Sequence, residues 1–451
     1  MVAACTAREI LDRVGFTTDD LRHPLDVLTV EAAAEAAGVA ASTVNSAVGK
    51  ANDFRIEVLR HGIRCLDTRP GLKTRTALRD GLASRGAVDE LGNAPPTSLL
   101  ANVFDARVDE LANDPAIPLF LSAFDYAVDL ETQWLVSRKL EQLVDDFFPL
   151  LATTRAVGGK SNANDPHPQT RFALLLLLLS ATYRNLVHTD QADREVLAQL
   201  FGEVLDVELD REAQPSPLRP SVFGSEIHRC ACSSEPLHQA LTAGVRLLLE
   251  QQVPLSTSLS VTEVLSRSGV STATFYRCFG SIHDFHLESI RHAGHRWIEN
   301  SDLSRFLLDL ERAESDAKAR GETICYPRGL HLFLTSGSDI KHRQVADGRP
   351  GRQVTPWLGS QAIRPYVTAT FSDAFAERGS FIQSLQNRLG ATTRDGLTPS
   401  SMAAIAHSVG VVSDLLIRLS EDQSASTAHM IDVGVALGLA TTNEHQPRSP
   451  S

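Results

Sequence analysis

The chain has 451 residues, 43% hydrophobic and 22% charged, the balance of a soluble globular protein of about two to four domains rather than a disordered or fibrous one. A formal charge of −12 excludes a protein that coats nucleic acid indiscriminately, but not a site-specific binder whose contact face alone is neutral or basic. Six cysteines without framework spacing, Arg8 and Glu9 where a signal peptide needs an apolar core, and a longest apolar run of only Phe172–Leu179 point to a cytoplasmic protein with no membrane partner.

In chain order, residues 1–64 contain a first compact helical segment, LTVEAAAEAAGVAASTVNSAVGKANDFRIEVLRHG at 28–62. Residues 65–206 read as a helical body closed by two strongly apolar helices, Gln169–Val187 and Arg194–Leu205. Residues 207–235, rich in Pro and Ser and lacking periodicity, read as a linker. Pro236–Gln251 then places Leu237, Leu241, Val245, Leu248 and Leu249 at helical spacing. Ser260 with Glu263 makes a capping box for a second helix, whose inward stripe is Val261, Val264 and Leu265. Gly269 supplies a left-handed turn, and Ser271 caps a short third helix, Thr272–Phe279, with Phe275 and Phe279 on one face. Gly280 ends it, and a fourth helix starts near Ile282. A second body, 297–441, closes with Ser400–Leu419 and Thr427–Ala440 before a tail at 442–451.

The two compact segments are copies. Residues 28–62 and 259–293 align without gaps at an offset of 231, with eleven of 35 positions identical. The matches include Gly38/Gly269, Thr43/Thr274, Gly49/Gly280, Asp53/Asp284 and Phe54/Phe285. A tandem duplication follows, and with it an all-α fold of two similar halves.

Gly269-Val270-Ser271, the following TATFYRCFGS, and Asp284-Phe285 resemble the N-terminal DNA-binding domain of the TetR/AcrR family of transcriptional regulators. The resemblance covers 236–296; in residues 1–64 it rests mainly on the repeat. It implies a three-helix DNA-binding head on a larger helical body. That body holds an effector pocket and pairs with a second subunit through its last two helices, as a four-helix bundle. Here it implies two tandem TetR-like units, in which Phe172–Val187 and Ala403–Leu419 pack within one chain as a pseudo-dimer. A homodimer of chains is the alternative.

Helix-turn-helix proteins insert the start of the second helix in the major groove while hydroxyls and amides hold flanking phosphates. The outward residues in the second copy are Ser271, Thr272, Thr274, Tyr276 and Arg277. The resemblance makes Thr274 and Tyr276 phosphate contacts, and Thr272 and Arg277 contacts to bases or backbone. In the first copy Ala40 replaces Ser271, while Val44, Asn45, Ser46 and Val48 replace Phe275, Tyr276, Arg277 and Phe279. Two readings stand for it: Thr43, Asn45, Lys50 and Arg55 touch the DNA backbone, or the head is degenerate and kept for packing. Ile282 and Ala51 stand where the family places a phosphate-binding Lys.

No catalytic constellation is present, so no enzyme activity, cofactor or metal is expected. Gly159-Lys160-Ser161 lacks the first Gly of a phosphate loop, since Thr154 stands there, and His228-Arg229-Cys230-Ala231-Cys232 lacks zinc-site spacing. Cys278 reads as a semi-buried residue, and Lys341–Arg352 as a basic loop. Phe120, Phe124, Tyr126 and Trp134, with Tyr326, His331, Phe333 and Trp357, line effector cavities or are plain core. The expected partners are double-stranded DNA and a small-molecule effector. The function that the resemblance implies is a ligand-responsive TetR-type regulator, a repressor as is most common in the family, reading DNA mainly through the second helix-turn-helix. The alternative is a small-molecule sensor or protein-interaction module that no longer binds DNA.

Overall fold

Leucine- and alanine-rich segments at helical spacing form the helices of the described residues. In the computed structural model the described residues are 30–48, 60, 62–88, 96–114, 116–117, 120–121, 130–157, 167–187, 193–210, 239–240, 243, 261–281, 285, 303–343, 364–420 and 423–443. They contain fourteen helices and a single pair of two-residue strands, so the fold is all-α.

Seven helices belong to the first half: α1 (Val30–Ala37), α2 (Ala41–Val48), α3 (Leu72–Val88), α4 (Pro96–Asn113), α5 (Leu130–Val157), α6 (Pro168–Val187) and α7 (Arg194–Asp210). Seven follow in the second: α8 (Val261–Ser268), α9 (Thr272–Phe279), α10 (Leu303–Ala319), α11 (Tyr326–Arg343), α12 (Arg364–Arg388), α13 (Pro399–Leu419) and α14 (Gln423–Ala440). The strands β1 (Thr392–Thr393) and β2 (Thr442–Asn443) pair antiparallel and tie the end of α14 to the turn between α12 and α13.

The halves repeat each other. Val261, Thr272, Leu303 and Pro399 each begin a helix 231 positions after the helix starts Val30, Ala41, Leu72 and Pro168. Packing repeats as well: α3 on α4 and α10 on α11, α4 on α7 and α11 on α14, α5 on α6 and α12 on α13, α6 on α7 and α13 on α14. The duplication therefore extends from the short segments where residues match into bodies where few do.

The halves share one core. Helix α6 carries Leu174–Leu179 in an unbroken run, and a helix that is apolar all round is stable only when surrounded. It packs on α4, α5 and α7 from its own half and on α12, α13 and α14 from the other. With α7 also against α14, the four closing helices α6, α7, α13 and α14 form a bundle within one chain. One continuous apolar cluster runs from Val30 through Leu177 and Ala403 to Leu437.

Polar groups fix the register of this contact. The Tyr183 hydroxyl lies 3.5 Å from His407 Nε2, and the His407 ring sits between those of Tyr183 and Phe375, at 5.8 and 5.5 Å. Phe172 meets His429 edge-on at 5.7 Å. Arg394 donates from both terminal nitrogens to Glu203, at 2.7 and 2.9 Å. At the α6–α7 turn, Arg184 and Asp193 form an ion pair that is 2% exposed on each side. Helix α7 runs to Asp210, past the expected linker start at 207, because Leu209 is buried and its carbonyl accepts from Arg155 at 2.9 Å.

The Arg394 hydrogen bonds hold the Glu203 carboxyl below its ordinary 4.5. A carboxylate with a depressed pKa contributes stability above its unfolded pKa and loses it as pH falls through the folded value. Arg394→Gln should therefore cost on the order of 1 kcal/mol in urea unfolding near pH 7, and less near pH 3, where the remaining deficit reflects the lost hydrogen bond to Ala440 O. An equal deficit at both pH values would show that this pair does not act through the Glu203 charge.

Candidate nucleic-acid interface

The best-formed candidate surface is built on α8, a three-residue turn and α9. Helix α8 ends as Gly269 turns left-handed at φ +70°, its N–H donating to Leu265 O at 3.0 Å. Val270 is buried, and Ser271 caps α9 in extended conformation. The Thr274 N–H donates to Ser271 Oγ at 3.2 Å, and the Ser271 hydroxyl donates to Thr274 Oγ1 at 2.9 Å. Ser271 is thus committed to the cap, which leaves the Thr274 hydroxyl hydrogen as the outward donor of the pair. Gly280, at φ +70°, closes the helix with its N–H on Tyr276 O.

Three phenylalanines set which face of α9 points outward. The rings of Phe275, Phe279 and Phe285 lie 4.9–5.1 Å apart and are buried with Val264, Val270, Ala240 and Ala243. Spacing of four residues puts Phe275 and Phe279 on one side, so Thr272, Tyr276 and Arg277 are exposed on the other. Tyr276 is 44% exposed with its ring edge-on to Phe275 at 5.3 Å. Among the described residues Arg277 makes no ion pair, and the Tyr276 hydroxyl makes no hydrogen bond. Cys278 is exposed rather than semi-buried, since the phenylalanines occupy the inward positions.

The first copy has the same backbone and a different surface. Gly38, at φ +65°, makes the turn, and Val44 is fully buried where Phe275 stands in α9. Thr43, Asn45 and Ser46 are exposed, but α2 carries no cation. Ala40 offers only its carbonyl, which accepts from Thr43 N–H at 2.9 Å, so no side chain caps the helix. Lys50 and Arg55 lie outside the described residues, as do Ser260, Ile282, Phe124, Tyr126, Trp357, residues 159–161 and residues 228–232.

A clamp that the sequence reading missed joins the first head to its body. Arg107 on α4, 2% exposed, donates to the carbonyls of Asp67, Thr68 and Arg69 at 3.1, 2.7 and 3.1 Å. Lys139 on α5 donates to Leu66 O at 2.8 Å. Glu110 accepts from the N–H groups of Gly71 and Thr74 and from the Thr74 hydroxyl, at 2.8, 3.0 and 2.6 Å, capping α3. Burial works against the Glu110 charge, but these hydrogen bonds outweigh it and hold its carboxyl below the usual range. A charged residue at position 107, on the inward stripe that includes Phe104, Val108 and Leu111, was the available signal. At the offset of 231 the corresponding positions are Ser338 and Lys341, so the second half lacks this Arg–Glu pair.

Of the remaining described candidates, three are packed and two are exposed. Phe120 and Tyr326 are core, Phe333 packs between Phe306 and Phe381, His331 is exposed, and Trp134 is exposed beneath Arg138. Lys341 and Arg343 belong to α11 rather than to a loop. No helix among the described residues is long and apolar enough to cross a membrane. No protein-family model matches the chain, and no curated protein matches it.

The second head has a core cluster of its own, whereas the first head's core is continuous with the body. Phe275→Ala should cost about 3–5 kcal/mol and raise amide exchange in α8 and α9 without unprotecting α4 or α6. Ser271→Ala should cost only about 1 kcal/mol in the same head. Loss of protection spreading into α6 would contradict the independence of this core.

Proposed function

We propose that this chain is a ligand-responsive DNA-binding regulator of the TetR type, acting as a repressor and reading DNA mainly through α9. The observation that carries the reading is the outward face of α9, where Thr272, Thr274, Tyr276 and Arg277 stand together on a capped helix with no ion-pair partner for Arg277 among the described residues. A short helix presenting a free guanidinium, a phenol and hydroxyls at its start suits groove insertion with flanking phosphate contacts.

In this reading the bundle of α6, α7, α13 and α14 takes the place of the one that joins two subunits in the family, so one chain presents two heads. Thr272, Tyr276 and Arg277 correspond to Ala41, Asn45 and Ser46, so the two half-sites differ and the protected site is not a palindrome. An effector held by a body lowers DNA affinity by favouring a head spacing that does not fit the operator.

A second reading, a sensor or interaction module without DNA binding, is favoured by the uncharged α2 and the net charge of −12. Gel shifts with intergenic DNA flanking the gene separate the two. The regulator reading expects Tyr276→Ala and Arg277→Ala to abolish the specific shift while helicity and melting stay nearly unchanged. Loss of Arg277 should also lower the salt slope by about 1. If both variants shift the same DNA with unaltered affinity and slope, α9 is not the reader.

A further inference from the structure

The duplication provides an internal comparison for every cavity, and at one place the halves differ sharply. On α3 the residues Arg75, Leu78, Arg79 and Leu82 form one stripe facing Leu150 on α5. Between them, beneath Arg69 and Pro70 of the head–body connection, lies an open cleft of about 610 Å³. In the second half the residues 231 positions after Arg75 and Leu150 are Phe306 and Phe381. Their rings meet edge-on at 6.3 Å, and Phe306 is buried in a core with Leu310, the counterpart of Arg79. The same helix faces close into an aromatic core in one half and stay open, lined with arginine, in the other.

We propose that this cleft is a binding site for an amphipathic anion, a carboxylate bearing an unbranched alkyl chain. Three guanidiniums border it, and the planar donor fork of arginine matches a carboxylate. The Arg75 Nε donates to Pro70 O at 2.9 Å, which aims its terminal nitrogens, and Arg75 has no ion-pair partner among the described residues. Among the described residues Arg69 and Arg79 pair only with the exposed Asp67 and Asp80, contacts that a ligand displaces at small cost. The one carboxylate in the lining, Asp146, accepts from the Thr68 hydroxyl at 2.6 Å. The wall is aliphatic, from Leu78, Leu82 and Leu150, and suits an alkyl chain; a DNA backbone would leave it unused. The volume lies in the range of small-molecule pockets.

As an effector class for the regulator this rests on the proposed function, but binding itself is measured without DNA. Calorimetry on the full chain with decanoate below its micellar concentration should show one site. Decanol, lacking the charge, and acetate, lacking the chain, should bind at least about tenfold more weakly. Arg79→Gln should weaken decanoate by about tenfold. The pair Arg75→Phe with Leu150→Phe, which reproduces the closed core of the second half, should abolish binding while the fold persists. Equal affinity for decanol and decanoate, or unchanged decanoate binding in Arg79→Gln, overturns the proposal. So does an absence of decanoate binding together with a lower DNA salt slope in Arg79→Gln, which would make the cleft a phosphate contact. A chain that binds decanoate in this way but shifts no DNA would remove the regulator reading and leave the site standing.

Discussion

Everything else in the structure depends on the packing of α6 against helices of the opposite half. Its leucine run has no polar face to offer water, and each fully buried leucine is worth roughly 1.5–3 kcal/mol over an exposed one. The first half covers part of α6 with α4, α5 and α7, and α12, α13 and α14 cover the rest. Neither half closes its core alone. The contact also joins the two halves into one continuous core.

On this shared frame, equivalent positions have taken different side chains. The first half has Arg107, Glu110 and Lys139 binding the connection at 66–74, a head core continuous with its body, and an uncharged α2. The second has Ser338 and Lys341 at the clamp positions, a separate head core, and α9 with its cap and an arginine that makes no ion pair among the described residues. The arginine cleft of the first half is the aromatic core of the second. The first half thus binds its head to its body through one core, while the second gives its head a core of its own.

The parts legible in the sequence were those whose causes lie within a few residues. Ser271 before Thr274, the four-residue spacing of Phe275 and Phe279, and the glycines at 38 and 269 each specify local geometry, and α9 has the bounds its residues predict. The apolar closing helices were legible because Leu174–Leu179 permits no exposed face. The clamp was not, because Arg107 binds backbone carbonyls 38 to 40 residues away, and carbonyls carry no sequence signature. Nor was the cleft, which exists because Arg75 and Leu150 fail to fill a space that Phe306 and Phe381 fill, and emptiness needs a structure to be seen. The end of α7 was placed too early because the polar residues Glu208 and Asp210 mask a buried Leu209.

The central claim is that one chain supplies both halves of the bundle and so both heads of a DNA-binding unit. Native mass spectrometry of the chain bound to the duplex it protects tests this most directly. The account predicts a single 49.0 kDa chain per duplex. Two chains on each duplex would contradict it, since the bundle within the chain would then not be what sets the pair of heads.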